Sequence, residues 1–256
     1  MNKDRLQTAL QDIPLGGLRF YEQIGSTNDI ALSWGNEGGQ DFSIVIANEQ
    51  LAGRGRNGRI WQTPPDSALA FSLLLLPNSH EEKNISLFTG LGALALVETL
   101  RKYYALDAKI KWPNDVLING KKLAGILVET NWHGDKIKNI IVGMGVNIYK
   151  NSVPEDLLFP ATSLEENINN KADRVLLLHQ ILESFLKWRS SLRKEELHKA
   201  WEKNLAFRGQ QVQIHARDGQ IIQEGKILGI NQDGSLRLDT HPSIHFGDVH
   251  LRPIQV

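Results

Sequence analysis

Residues 53–59 read Gly-Arg-Gly-Arg-Asn-Gly-Arg, three glycines interleaved with three arginines, shortly after the apolar run Ile44-Val45-Ile46-Ala47. Glycine lets a backbone bring its N–H groups close to a ligand. Arginine supplies a planar, permanent charge that fits carboxylate or phosphate oxygens in pairs. The combination suits an anion; a solvated Gly-rich surface loop is the plainer alternative. Gly53-x-Gly55-x-x-Gly58 also fits the dinucleotide fingerprint, which needs a strand before it and a helix after it. Here Pro64-Pro65 and the strand-like Ala70–Leu76 follow. Adjacent prolines cannot open the required helix, so that reading is rejected. No P-loop is present.

A second group is Lys111-Trp112-Pro113-Asn114-Asp115. Pro113 removes a backbone donor and forces an extended residue before it. Lys111 could act as a phosphate counter-charge and Asp115 could bind magnesium or a ribose. A turn using Asn and Asp for its geometry explains the same residues equally well. Lys122 follows the hairpin signal Asn119-Gly120, while its neighbour Lys121 reads as a solvated lysine. Gly125, and Gly143-Met144-Gly145 in a later strand, permit a flat ligand to lie close, or else mark a bulge or bend. Ser26 caps a short helical pattern whose first N–H groups could face a ligand; capping alone is the simpler account. The eight histidines show no tight metal-ligand spacing, and no Gly-x-Ser-x-Gly elbow suggests a serine hydrolase.

These residues need elements to place them. The expected order is a helix over Ile30–Trp34 ended by Gly38-Gly39, strands over Phe42–Gln50 and Phe71–Leu76, and one long helix over Glu81–Tyr104. Gly90 and Gly92 in that helix suggest close packing of a neighbour. Strands follow at 108–112, 116–118, 123–130 and 138–148, joined by tight turns and therefore antiparallel. The polar stretch Tyr149–Asn170 has the length of a functional loop. Val175, Leu178, Ile181 and Phe185 give a core-facing helix over Asp173–Trp188, and a further helical stretch runs to about Ala206. From Gly209 the pattern alternates through Val212, Ile214, Ile221, Ile227, Leu236, Leu238, Val249 and Leu251, with turns at Asp218-Gly219 and Asp233-Gly234. The fold class is α+β: a mixed, largely antiparallel sheet with helices over 1–207, then a small SH3-like C-terminal β-barrel over 208–256.

The chain has 256 residues, 29 basic and 29 acidic, and no cysteine. That size supports one large domain or a medium one with a small one. Neutral balance argues against nucleic-acid binding as the main task. Lack of cysteine excludes disulfides, a thiol nucleophile and a zinc–cysteine site. The first twenty residues have no signal-peptide core, and no apolar run reaches the ~18 residues of a membrane span. A cytoplasmic protein is expected.

The four motifs occur in one order: Glu49-Gln50-x-Ala52-Gly53-Arg54-Gly55-Arg56-x-Gly58-Arg59-x-Trp61, then Lys111 to Asp115, then Lys122-Leu123-Ala124-Gly125-Ile126-Leu127-Val128-Glu129, then Gly143-x-Gly145-Val146-Asn147. In that order they resemble biotin protein ligase, over roughly residues 20–256. The resemblance implies an ATP-dependent ligase that forms biotinyl-5′-adenylate and transfers biotin to a lysine of a biotin carboxyl carrier domain, with ATP and biotin as substrates and Mg2+ as cofactor. It implies that Ser26, Thr27 and Gln50 hold the ureido ring, with Gly53 in the biotin site and Gly125 and Gly143 flooring the pocket. Arg54 and Lys122 would meet the reacting carboxylate and α-phosphate. Arg56, Lys111 and Asn147 would contact ATP, and Asp115 would serve the metal or nucleotide. The loop 149–163 would close over the adenylate, and the arginine loop would order only with ligand. Asn57 stands where some relatives carry another arginine. Some relatives also begin with a helix-turn-helix; about twenty residues precede the pattern here, so no DNA binding is expected. A homodimer is compatible with the sequence. Lipoate or octanoate attachment is the related alternative, and a non-enzymatic ligand-sensing module the unrelated one.

Overall fold

The computed structural model describes residues 1–153, 159–192, 195–216, 220–240, 243–245 and 250–253. Helix α1 (Lys3–Ala9) is capped by Asn2, whose side chain accepts from the Arg5 N–H. Leu6, Leu10 and Ile13 turn inward and bury in the main core. Strand β1 (Leu18–Ile24) passes through helix α2 (Thr27–Asn36) to strand β2 (Ser43–Gln50), and the two strands pair in parallel. Parallel neighbours end at the same side of a sheet. The segments that follow β1 and β2, at Ser26 and Arg54, therefore emerge together.

Strand β3 (Ala68–Leu75) is buried along its whole length, as its continuous apolar run requires. A single helix over Glu81–Tyr104 is not what forms. Helix α3 (Ser79–Glu82) is separate from helix α4 (Leu87–Tyr104). Asn78 and Glu81 close a capping box around the start of α3, and the Glu81 carboxylate also takes a bond from Arg189 Nε at 2.7 Å. These contacts fix the short helix at its own angle. Gly90 behaves as its packing signal suggests: a Cβ there would lie 2.1 Å from the Trp201 ring.

Strands β4 (Ala108–Lys111), β5 (Asp115–Ile118), β6 (Lys121–His133) and β7 (Lys136–Asn147) form an antiparallel run. Asn119 and Gly120 both take positive φ, 50° and 76°, the backbone of a type I′ hairpin turn. The full sheet has seven strands in the order β1-β2-β3-β7-β6-β5-β4. The last strand of this sheet in the sequence, β7, therefore lies in the middle, between β3 and β6. Helix α4 packs on this sheet with helix α5 (Arg174–Arg189) beyond it, and helix α6 (Glu195–Lys203) follows. Neither α1 nor β1 is expected from the sequence reading.

The alternating C-terminal region forms strands β8 (Gln211–His215), β9 (Ile221–Ile230), β10 (Leu236–Leu238) and β11 (His250–Pro253), an antiparallel sheet in the order β10-β9-β8-β11. The turn at Asp218-Gly219 and the strand position Val249 lie outside the described residues. Val212, Ile214, Ile227 and Leu236 share one buried cluster with the main sheet and helices. Trp112 Nε1 donates to the Gly234 carbonyl at 3.0 Å, which fastens the small sheet to the β4–β5 turn. Trp112→Phe is expected to leave that carbonyl unpaired and to cost about 1–3 kcal/mol, read as a lower urea midpoint with unchanged slope. Among the described residues no helix is long and apolar enough to cross a membrane.

Candidate functional site

The carboxyl end of the parallel pair, the first half of β6, the C-terminal end of β7, and the β4–β5 turn surround one cavity of about 990 Å³. Every site residue expected from the sequence lines it except Gly53. Gly53 instead accepts the Trp61 N–H at 2.8 Å, and a Cβ there would lie 2.4 Å from the Trp61 carbonyl. It closes the base of the arginine loop.

Ser26 occupies the N-cap of α2, but its hydroxyl makes no capping bond. Gln50 takes over the task, its Oε1 accepting from the Thr27 N–H at 2.9 Å and from Thr27 Oγ1 at 3.0 Å. Gln50 Nε2 donates to Thr63 Oγ1 at 3.2 Å, which fixes which end of the amide faces which way. Ser72 Oγ bridges Thr27 Oγ1 at 2.7 Å and Asn28 Oδ1 at 2.5 Å. Ser26, Thr27, Asn28 and Ser72 are all buried. The result is a polar wall held in place before any ligand arrives, with donors and acceptors on both sides.

The floor is made by glycines. Gly125 and Gly145 face each other across β6 and β7. A Cβ on Gly145 would stand 2.3 Å from the Trp61 indole, and one on Gly125 would stand 3.3 Å from it. The flat group that these glycines admit in this structure is thus the protein's own Trp61. Its Nε1 is buried and finds no acceptor among the described residues. Gly143 lies under Asn28 instead, where a Cβ would come within 2.2 Å of Asn28 Oδ1.

Cations rim the cavity. Arg54 Nη1 donates to both Asp29 oxygens, at 2.6 and 2.7 Å, and Nη2 reaches Glu129 Oε2 at 3.0 Å. The Asp29 bonds, with Glu129 behind them, hold the guanidinium above its ordinary pKa against the opposing effect of burial. Arg54 is thus placed by two counter-charges, Asp29 and Glu129. Lys122 Nζ pairs with Asp115 Oδ1 at 2.6 Å and lies 5.4 Å over the Trp61 ring. Arg56 Nη1 reaches Asn114 Oδ1 at 3.5 Å, and Lys111 Nζ stands 5.2 Å over the Phe159 ring. Asn114 is locked to Ile126 by its own backbone and side chain. Asn57 adopts φ 59°, ψ 34°, a left-handed conformation that asparagine tolerates better than arginine.

Asn147 Nδ2 donates to the Thr162 carbonyl at 3.1 Å. Lys122 is bracketed by the same segment: its N–H donates to Pro160 O, and its carbonyl accepts from the Thr162 N–H, both at 2.9 Å. The part of the 149–163 loop at 154–158 lies outside the described residues. Among the described residues no group of three or more His, Cys, Asp or Glu side chains could hold a metal. The donor set, one carboxylate already facing a lysine, fits a magnesium ion brought in on phosphates, which needs only one or two protein carboxylates. Asp115 would be that carboxylate. Asn28, Asp29, Thr63 and Ser72 had no expected role, and Glu129 appeared only as the end of a motif.

Residues 20–147 match the Biotin/lipoate A/B protein ligase family. The chain is 33% identical over 232 residues to the bifunctional ligase/repressor BirA of Bacillus subtilis, covering 89% of this chain and 70% of that protein. It is 34% identical over 202 residues to the biotin–[acetyl-CoA-carboxylase] ligase of Paracoccus denitrificans, covering 76% and 82%. The structure of the biotin protein ligase from Aquifex aeolicus in complex with biotin and ATP superposes with a TM-score of 0.80 at 26% identity, covering 93% of this chain and 99% of that one.

Proposed function

This chain belongs to the biotin/lipoate A/B protein ligase family, and from that premise we propose the reaction its cavity carries out. It is an ATP-dependent biotin–[biotin carboxyl-carrier protein] ligase. A biotin carboxylate oxygen attacks the α-phosphorus of ATP and pyrophosphate leaves. The amine of a carrier lysine then attacks the acyl carbon of biotinyl-5′-adenylate, and AMP leaves. One observation supports this most: a neutral polar wall, a glycine floor and two separate cations, Arg54 and Lys122, line the same cavity.

We assign the roles as follows. Thr27, Gln50 and Ser26 hold the ureido ring, because that ring offers a carbonyl and two N–H groups to a wall of mixed donors and acceptors. Gly125, beneath Trp61, and Gly143, beneath Asn28, floor the pocket that takes the bicycle, with no side chain of their own to fill it. Lys122 and Arg54 gather the biotin carboxylate and the α-phosphate, two anions that repel each other without cations between them. Arg56, Lys111 and Asn147 face the nucleotide. Magnesium, when bound, neutralises phosphate charge beside Asp115. The protein supplies no nucleophile, so the rate gain comes from positioning and charge.

We further infer that residues 1–207 act as the catalytic unit and that the C-terminal strands over 208–256 close as an SH3-like barrel. The partner is a biotin carboxyl carrier domain, and the reaction belongs in the cytoplasm with its ATP. The test is direct. Purified protein with biotin, ATP and magnesium should label a biotin carboxyl carrier domain; no label on any such domain would overturn the assignment. Lipoate supplied in place of biotin should give none, and labelling by lipoate alone would move the chain to the other branch of its family.

A further inference from the structure

Arg54 already has partners. Its two terminal nitrogens are spent on two carboxylates, Asp29 and Glu129, with four contacts between 2.6 and 3.2 Å. One positive charge therefore faces two negative ones before an anionic ligand enters. Glu129 is further anchored, its Oε2 accepting from Asn28 Nδ2 at 2.6 Å, and Asn28 is tied through Ser72 to Thr27. The carboxylates come from α2 and β6 and the arginine from the loop between β2 and β3, so the cluster ties three segments together, and Arg54 is its member that lines the cavity.

We propose that Asp29 and Glu129 are positioning residues that compete with the acyl-adenylate for Arg54, and so set how firmly the intermediate is held. This rests on the ligase reading given above. A guanidinium binds carboxylate or phosphate best through parallel N–H bonds from two nitrogens, and here Asp29 takes both its contacts from Nη1 while Glu129 takes both of its own from Nη2, so both terminal nitrogens are engaged. An arriving phosphate or acyl carboxylate must displace one of those contacts or add a third negative charge to the group. Asp29 is the one to yield: its side chain is 53% exposed, against 34% for Glu129, and it has no anchor comparable to Asn28. The pair thus both places Arg54 and moderates its grip on the intermediate.

The sign of the effect separates this role from simple support. Glu129→Gln keeps an oxygen that accepts from Arg54 and from Asn28 but removes the charge; Asp29→Asn does the same on the other side. In the full chain, release of preformed biotinyl-5′-adenylate should slow by about threefold to tenfold, the range of a partly exposed charge contact. The biotin KM in pyrophosphate release should fall with it, without a rise in thermal midpoint. In an Arg54→Ala background the slowing should disappear, because the competition needs the arginine. Unchanged or faster release in both single variants would overturn the proposal, as would the same slowing without Arg54. If wild type neither forms nor retains the adenylate, the ligase reading fails and this proposal with it; the wild-type arm tells the two failures apart.

Discussion

Lys122→Ala is expected to slow formation of biotinyl-5′-adenylate by about a hundredfold to a thousandfold, the usual cost of removing one preorganised charge-stabilising group at a reacting centre. The loss should fall mainly on kcat for pyrophosphate release, because the contacts proposed for the ureido end of biotin are Thr27 and Gln50, not Lys122. Folding is a minor part of the effect. The Lys122–Asp115 pair is partly exposed, at 31% and 20%, and such pairs contribute up to about 1 kcal/mol. The catalytic loss corresponds to about 3–4 kcal/mol of barrier. A variant with normal kcat, or one whose activity loss tracks its unfolding midpoint, would contradict the role.

Arg54→Ala acts later. It should accelerate escape of the adenylate by about tenfold to a hundredfold, the equivalent of losing about 1.5–3 kcal/mol of charge-assisted hydrogen bonding. Asp29 and Glu129 would be left without their cation, and their uncompensated charge would repel the phosphate further. Trapping of labelled adenylate on the protein, followed by dilution, measures the escape directly. Retention equal to wild type would show that Arg54 does not touch the intermediate. Opposite outcomes in Arg54→Ala and Glu129→Gln are the expected pair.

The sequence revealed this site in its motifs more than in their supports. Lys111 belongs to a run whose residue types already suggest nucleotide chemistry, Gln50, Lys122 and Asn147 belong to runs whose order carries the family resemblance, and all four line the cavity. Glu129, Asp29 and Asn28 were not legible, because their roles come from partners far along the chain. Arg54 meets Glu129 across 75 positions and Asn28 meets it across 101. No local pattern marks such a pair. The glycines at 125 and 145 showed that something flat lies on the strands, but not that Trp61 does so, since only the register of β6 on β7 puts them opposite. The fold was legible wherever local turn chemistry decides it, as at Asn119-Gly120. Two misses had readable signs. Leu6, Leu10 and Ile13 follow helical spacing, and Asn78 with Glu81 is a capping-box pair that cuts the long apolar pattern before α4 opens.

The central place of β7 has a consequence for the chain as it is made. Synthesis runs from β1 to β7, yet β7 is the strand that joins β3 to β6. Without β7, no strand ladder joins the polar wall beside β2 to the lysine on β6, and only side-chain bridges such as those of Asn28 and Arg54 to Glu129 cross between them. A nascent chain can therefore own every motif of its chemistry except the last and still make no reactive intermediate. The two halves of the site share a continuous sheet only once the middle strand is inserted.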